Sequence, residues 1–131
     1  MFKLVKILNS GVNTAEPLYL PKDKSLRLDF GSLAKLSGGK IVAAGAADTP
    51  THVVAEKSDG GDKILVFEIS RDMIFETVVT EDPTALMLGD SVKLEIAEGS
   101  AIAVSATVGG KAIIYDLESA KEIGDSVLVR F

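Results

Sequence analysis

The chain has 131 residues, of which 47% are hydrophobic, and its 14 lysine and arginine residues against 19 aspartate and glutamate residues give a net charge of −5. This length supports one core without metal or disulfide staples and is too short for two ordinary domains, which predicts a single domain over residues 1–131. The absence of cysteine excludes disulfides, thiolate zinc sites, iron–sulfur clusters and cysteine nucleophiles. The acidic balance argues against nucleic acid as a partner, and no apolar run reaches the roughly 20 residues of a membrane helix.

Apolar and polar residues alternate in short segments along the chain, and each segment ends at glycine, aspartate, asparagine, serine or proline. This pattern predicts an all-β fold, a small barrel or sandwich of about ten short strands. The alternation is clearest at 25–30, whereas 63–69 and 73–79 are apolar on both faces, as central strands are. In chain order, the predicted strands are 3–8, 25–30, 33–36, 41–44, 52–56, 63–69, 73–79, 92–96, 101–106, 112–115 and 127–131. Short helical turns are predicted at 82–88, where Gly89 ends the helix within two turns, and at 116–123.

Glycine doublets separate several of these predicted strands. Glycine adopts the positive φ angles that tight hairpin turns need and that other residues resist. Gly38 and Gly39 therefore predict a hairpin between 33–36 and 41–44. The doublets at 60–61 and 109–110 predict two more hairpins, the first before the strand at 63 and the second between 101–108 and 112–115.

An internal repeat aligns residues 78–96 with residues 113–131 at an offset of 35. Its clearest match is Leu88-Gly89-Asp90-Ser91-Val92 with Ile123-Gly124-Asp125-Ser126-Val127. A glycine takes the strained turn conformation, and the following carboxylate accepts backbone N–H groups that the turn leaves unpaired. The alternative is a pair of acids that do chemistry or hold a metal. We interpret the repeat as two related β-loop-β units, and the following residues as structural turns: Gly89, Asp90, Gly124, Asp125, Gly38 and Gly39.

The titratable residues present no catalytic or metal-binding signature. His52 is the single histidine, and a metal site or a catalytic triad needs partners that the sequence does not supply, so we expect it to hydrogen-bond where a loop enters a strand. Glu76, Glu81 and Asp82 are a weak candidate for a general acid and base, and we interpret them as solvated acids. The segment 59–62 lacks the ligands of a calcium loop, and the Gly-Gly-Lys segments lack the spacing of a phosphate-binding loop. We expect no enzymatic activity, no cofactor and no metal.

Three segments carry a resemblance to a known family. They are the hairpin pattern Leu36-Ser37-Gly38-Gly39-Lys40 within residues 31–44, the strand entry Pro50-Thr51-His52, and the run Arg71-Asp72-Met73-Ile74-Phe75-Glu76-Thr77. Together with the Gly-Asp turns and the end Ser126-Val127-Leu128-Val129-Arg130-Phe131, they make the chain from about residue 16 onwards resemble small capsid-associated proteins of tailed bacteriophages and prophages, of the head decoration or head-fibre type.

The resemblance implies a non-enzymatic, β-rich virion structural protein that binds the outside of the assembled capsid. Its implied partners are the major capsid protein and other copies of itself, with a trimer favoured, and neither nucleic acid nor a membrane. Its implied location is the capsid surface, and the bacterial host cytoplasm during assembly. The alternative is a host β-barrel adaptor or a small-ligand binding domain. Residues 1–17 are either an arm that adds to a neighbour's sheet edge or an ordinary first strand and loop.

Overall fold

The computed structural model describes residues 1–8, 16–97 and 100–131. These residues form eleven strands in two antiparallel sheets and no α-helix, so the predicted all-β fold is confirmed, and the two sheets make it a sandwich rather than one closed barrel. The strands are β1 (Lys3–Ile7), β2 (Leu18–Pro21), β3 (Leu33–Ser37), β4 (Lys40–Ala43), β5 (His52–Val54), β6 (Lys63–Glu68), β7 (Met73–Val78), β8 (Ser91–Ala97), β9 (Ser100–Val108), β10 (Ala112–Asp116) and β11 (Ser126–Arg130). Residues 9–15, within the segment suggested as an arm, lie outside the described residues, and β1 pairs with β7.

The five-stranded sheet has the order β2-β6-β5-β3-β4. One face encloses a small apolar core of Leu28, Ala34, Ile41, Val54, Ile64 and Val66. A single parallel bridge between Lys22 and Ile41 draws the edges β2 and β4 together. Lys22 is buried, and its ammonium donates to four backbone carbonyls, those of Asp23 at 3.3 Å, Leu26 at 3.2 Å, Asp59 at 2.9 Å and Gly61 at 2.6 Å. The charged side chain of Lys22 thus stabilises this sheet at the point where its two edges approach each other.

The six-stranded sheet has the order β1-β7-β11-β10-β8-β9. A parallel bridge joins Val79, just after β7, to Val104 of β9, and Thr80 N donates to Val104 O at 2.9 Å. Because β7 and β9 are not neighbours in the strand order, these contacts require the sheet to roll around its own interior. Val79 and Val104 are both fully buried there, so apolar side chains pack beside the backbone hydrogen bond that closes this sheet.

The larger core joins the two sheets. Neighbouring residues on β3 and β5 point to opposite faces, so Leu33 and Val53 enter the larger core while Ala34 and Val54 enter the smaller one. The stacked rings of Phe67 and Phe75, 6.2 Å apart, connect β6 to β7 across this core. The two strands predicted as central therefore lie in different sheets, each second from an edge.

The prediction of a strand at 25–30 is wrong. Leu26 and Leu28 pack on the smaller core as the alternation indicates, but Phe30 is 50% exposed and no ladder forms. Ser58 pairs with Leu28: its hydroxyl accepts from Leu28 N at 2.7 Å, and its N–H donates to Leu28 O at 2.9 Å. Alternation predicts an extended segment, whereas a strand also needs a neighbour along its length. Conversely, β2 lacked a strong signal, since Pro17 precedes it and Pro21 is its last residue, and proline is tolerated only at sheet edges, where β2 lies.

The predicted hairpin at Gly109 and Gly110 is also wrong. β8 lies between β9 and β10 and pairs with both, so the chain leaves β9, crosses β8 and continues as β10 on its other side. Gly110 makes this crossing against the backbone of Val92 and Lys93, where a Cβ atom would overlap the Val92 carbonyl. The structure does require a glycine at position 110, but it requires it for a close approach of two backbones rather than for a turn.

The short helix predicted at 82–88 does not form, whereas the single turn predicted at 116–123 and the hairpin predicted before the strand at 63 do. The predicted helix at 82–88 is only a turn, with Leu86 N donating to Pro83 O at 3.0 Å, because the chain must turn back immediately at Gly89. Residues 116–123 hold a comparable single turn, with Ala120 N donating to Leu117 O at 2.9 Å. Gly60 and Gly61 lie before β6 in the loop of the antiparallel β5–β6 hairpin, so the predicted hairpin is confirmed, with a loop longer than two residues.

Candidate interaction surface

Both Gly-Asp turns lie at the same end of the six-stranded sheet. β7 and β10 end there and β8 and β11 begin there, as the pairs Val78–Ser126 and Ile113–Ser91 show. We call residues 79–90 and 117–125, which connect these strands, the paired loops. A shallow depression of about 340 Å³ is lined by residues of both loops, so they form one continuous surface: Asp82, Thr84, Lys121, Glu122 and Ile123.

The Gly-Asp turn of each repeat unit forms backbone hydrogen bonds with the other unit, at a residue in or next to one of its strands. Four backbone bonds make this exchange: Gly89 N to Ile114 O at 2.9 Å, Ile114 N to Asp90 O at 2.8 Å, Gly124 N to Val79 O at 2.8 Å, and Val79 N to Asp125 O at 3.1 Å. The donors and acceptors of the first two bonds are offset by 35 residues from those of the last two. The sequence repeat therefore corresponds to two units related by an approximate twofold exchange, which fixes the two loops to each other.

The side chains of the two aspartates bind their own turns. Gly89 and Gly124 have φ angles of 89° and 93°, in the region that favours glycine. Asp90 Oδ2 accepts from Met87 N at 2.8 Å, whereas Asp125 Oδ2 accepts from both Lys121 N at 2.8 Å and Glu122 N at 2.9 Å. These backbone hydrogen bonds hold the pKa of Asp125 below its ordinary value. The carboxylates lock the loops rather than facing a substrate.

Apolar side chains project from the paired loops next to these turns. Met87, Leu88 and Ile123 are 68%, 67% and 64% exposed, the highest values among the large hydrophobic residues that the structure describes. Leu88 and Ile123 occupy the same position of the repeat, directly before the Gly-Asp step. Val108, at the end of β9, is 59% exposed at the same end of the sheet, since it pairs with Val92.

The Gly38 and Gly39 turn belongs to a different part of the molecule. These residues have φ angles of 59° and 80° and connect Ser37 to Lys40, which pair in the β3–β4 hairpin of the five-stranded sheet. No atom lies within 4 Å of a Cβ built on either glycine. The turn is open and lies apart from the paired loops.

The acids considered for catalysis are not brought together. Glu81 Oε2 accepts from Ala106 N and from Thr107 Oγ1, each at 3.0 Å, and so ties the first loop to β9. Asp82 Oδ1 accepts from Thr84 N at 3.0 Å, and this hydrogen bond lowers the pKa of Asp82. Glu76 lies within β7, paired with Lys3 and Leu128. Each acid thus has a different neighbourhood.

His52 is buried in β5 beside Glu68 of β6. Its Nδ1 shares a hydrogen bond of 2.8 Å with the Thr51 hydroxyl, where the loop enters the strand. Burial lowers the pKa of His52 below its ordinary value, and the negative charge of Glu68 opposes that effect. The histidine is therefore neutral at neutral pH.

A second open groove, of about 720 Å³, lies beside the five-stranded sheet. Charged and polar groups line most of it: Arg27, Leu28, Asp29, Lys57, Ser58, Asp59 and Gly60. The Arg27 guanidinium donates to Lys24 O at 2.6 Å and Asp59 O at 3.1 Å, and Lys57 lies 3.9 Å from Asp29. The groove thus presents both signs of charge to solvent.

The residues that the structure describes contain neither a metal-binding cluster nor a membrane-spanning helix. No three histidine, cysteine, aspartate or glutamate side chains among them are arranged to hold a metal ion. None of their elements is a helix long and apolar enough to cross a membrane.

Sequence reasoning missed one structural residue and recognised only part of the exposed surface. Lys22 lies in a lysine- and aspartate-rich stretch typical of a solvated loop, so nothing in the sequence marks it as buried. Met87 was visibly apolar in a loop, but the sequence alone does not separate core from surface. The repeat was the available signal, because it places Leu88 and Ile123 at equivalent loop positions.

No protein-family model matches the chain. A stretch of 55 residues, 42% of the chain, is 36% identical to pyruvate dehydrogenase E1 component subunit beta-3, chloroplastic, from Oryza sativa subsp. japonica. The matched stretch is 14% of that subunit's length. This local similarity assigns neither a family nor an activity to the chain.

Proposed function

We propose that the protein is a non-enzymatic structural protein of a tailed bacteriophage or prophage virion, which binds and stabilises the exterior of the assembled capsid. The proposal rests on the resemblance, and the structure places the resembling segments in strands and in a hairpin. The Gly38-Gly39 hairpin, the entry to β5 at His52 and the entry to β7 at Met73 are scaffold elements of both sheets. None of these segments carries a catalytic motif, so the resemblance supports the structural role that it implies and gives no support to a catalytic one.

The proposed mechanism needs no active site. A protein that binds the assembled shell and not the free capsid subunit shifts the equilibrium towards the shell by mass action. Many copies on a symmetric lattice add their individually weak contacts, and a homo-oligomer, for which a trimer is favoured, engages several subunits at once. The protein acts at the capsid surface, after synthesis in the bacterial cytoplasm.

Sedimentation with particles tests this function. The tagged full chain is expected to co-sediment with phage-sized particles from its source bacterium after prophage induction, at many copies per particle, with the particle proteins identified by mass spectrometry. Purified shells and unassembled capsid subunits are then compared as binding partners. Recovery only in the soluble fraction, or equal affinity for shells and free subunits, contradicts the proposal.

Of the two alternatives, a host β-barrel adaptor or a small-ligand binding domain, the groove beside Arg27 and Lys57 favours the small-ligand binding domain as a second candidate. Its volume of about 720 Å³ is in the range of small-molecule sites, although most of its lining is polar. A ligand that binds there is expected to raise the melting temperature in a broad small-molecule screen. Arg27→Ala is expected to remove that shift, and a screen without any shift contradicts this candidate.

A further inference from the structure

The charge of the protein is concentrated in the paired loops. Residues 79–90 and 117–125 contain six acids and one base, Lys121, whereas the rest of the chain contains thirteen acids and thirteen bases. The loops therefore account for the whole net charge of −5. Hydrogen bonds to backbone N–H groups keep Asp82 and Asp125 ionised, because they lower both pKa values.

The same surface carries the most exposed large apolar side chains among the described residues, those of Met87, Leu88 and Ile123. Met87 and Leu88 directly precede one Gly-Asp turn, and Ile123 precedes the other. The turns hold the loop backbone through the carboxylates of Asp90 and Asp125 and through the exchanged bonds between the units. Rigid, exposed apolar groups surrounded by charge are typical of an interface core with a polar rim.

We propose that the paired loops are the docking surface of this protein, and that their occupant is an apolar recess bordered by lysine and arginine on the assembled capsid protein. This inference rests on the proposed function and specifies the surface that performs it. The excess of acids over bases selects a basic partner by charge complementarity. A second copy of this chain is a poor occupant, since two such surfaces would bring like charges together.

Two variants of the full chain separate the apolar from the ionic contribution. The first combines Met87→Ser, Leu88→Ser and Ile123→Ser. The second combines Glu118→Lys and Glu122→Lys, and leaves Asp82, Asp90 and Asp125 in their turns. Circular dichroism and thermal unfolding establish that both variants fold, as expected for substitutions at exposed side chains.

Matched controls carry equal changes elsewhere on the surface. The apolar control combines Leu18→Ser, Tyr19→Ser and Leu36→Ser, at residues that are 46%, 60% and 50% exposed in the five-stranded sheet. The charge control combines Asp62→Lys and Glu95→Lys, two exposed acids outside the paired loops. Neither control is expected to change the affinity by more than about twofold.

The measurement is binding of each protein to purified assembled shells at several salt concentrations, with sedimentation equilibrium of each protein alone. We expect the serine variant to bind at least about tenfold more weakly at every salt concentration. The lysine variant is expected to bind more weakly at low salt and to lose most of the salt dependence.

Three results overturn the inference, and they are distinguishable. If the wild type binds shells and the loop variants bind equally well, the docking surface is wrong while the proposed function stands. If the wild type binds no shells, both are wrong. If the loop variants bind shells normally but lose a self-association that the wild type shows, the occupant is a second copy.

Discussion

The two sheets differ in the side chains at the bridge that closes each of them: one bridge contains a buried lysine, and the other joins two buried valines. Each curls, and each is drawn together by one parallel bridge between strands that are not adjacent in the strand order, Lys22–Ile41 in one and Val79–Val104 in the other. In the five-stranded sheet the bridging residue is a lysine whose ammonium is satisfied by carbonyls, whereas in the six-stranded sheet both bridging residues are buried valines. The larger core adds apolar packing to the backbone hydrogen bond from Thr80 N to Val104 O at this closure.

This difference indicates where each half of the molecule is vulnerable. The five-stranded sheet depends on a hydrogen-bonded charge and contains the buried His52, so polar substitutions and acid weaken it first. The six-stranded sheet depends on close packing, on the Gly110 crossing and on the Gly-Asp turns, so steric and backbone changes weaken it.

Gly110→Ala is expected to have the largest effect. Its Cβ atom would overlap backbone atoms of Val92 and Lys93, which are fixed in β8 and cannot move as a flexible side chain would. We expect the free energy of unfolding to fall by at least about 3 kcal/mol in urea titrations. Gly60→Ala is the matched control, since its Cβ meets only an Arg27 nitrogen, at 3.4 Å. Equal stability of the two variants would show that β8 gives way at the crossing.

Lys22→Met is expected to have the next largest effect, in the other sheet. The side chain keeps nearly the same length but leaves four buried or half-buried carbonyls without their shared donor, a loss of about 2 kcal/mol or more. Hydrogen exchange should accelerate in β2 and β4 while β10 and β11 stay protected. Lys24→Met, at an exposed neighbour, should leave exchange unchanged. Uniform acceleration in both sheets would contradict the separate fastening of the two sheets.

Gly124→Ala and Gly39→Ala compare a turn in each sheet and are expected to have similar, smaller effects. Both glycines have positive φ, and neither added Cβ meets an atom within 4 Å, so the cost is conformational, about 1–2 kcal/mol. Asparagine at either position should cost less than alanine, because it tolerates positive φ better. A much larger cost at Gly124 than at Gly39 would show that the exchange between the repeat units adds its own strain.

Mild acid is expected to have the smallest effect and to act on the five-stranded sheet. Unfolded His52 takes up a proton near its ordinary pKa of 6.5, whereas burial keeps the folded side chain neutral to lower pH, so stability should fall as pH drops below 6.5. The pKa of Asp125 is lowered, so its contribution in the six-stranded sheet is lost only as pH falls below 3.8. Urea midpoints between pH 7.5 and 5 should shift in the wild type and stay flat in His52→Gln. A shift that survives in the variant assigns the proton uptake to another group.

The sequence predicted best where local chemistry decides the structure. The two-residue turn at Gly38 and Gly39 has its hairpin, and the repeat pointed to equivalent turns at Gly89 and Gly124. It failed where a segment needed a partner from far along the chain: residues 25–30 alternate correctly, but Ser58 pairs with Leu28 and no strand pairs along the segment. The hairpin prediction at Gly110 failed for the same reason. Glycine suits both a tight turn and a close backbone crossing, and only the position of β8 decides between them.

The candidate surface, too, could be predicted from the sequence only in part. The repeat identified Leu88 and Ile123 as equivalent, and the acids of both loops are visible in the sequence. Their placement at one end of one sheet depends on the pairing of β7 with β11 and of β10 with β8, which brings together residues 35 positions apart. Exposure of these side chains likewise became known only from the folded chain.

The sequence by itself determined the all-β class, the Gly-Asp turns and the acidic charge, because side-chain alternation, positive φ and ionisation are properties of single residues and their immediate neighbours. Only the tertiary structure decided the strand order, the burial of Lys22, the crossing at Gly110 and the joining of the two loops into one surface. Each of these depends on which distant backbone groups meet, and many pairings of short strands satisfy the same local pattern.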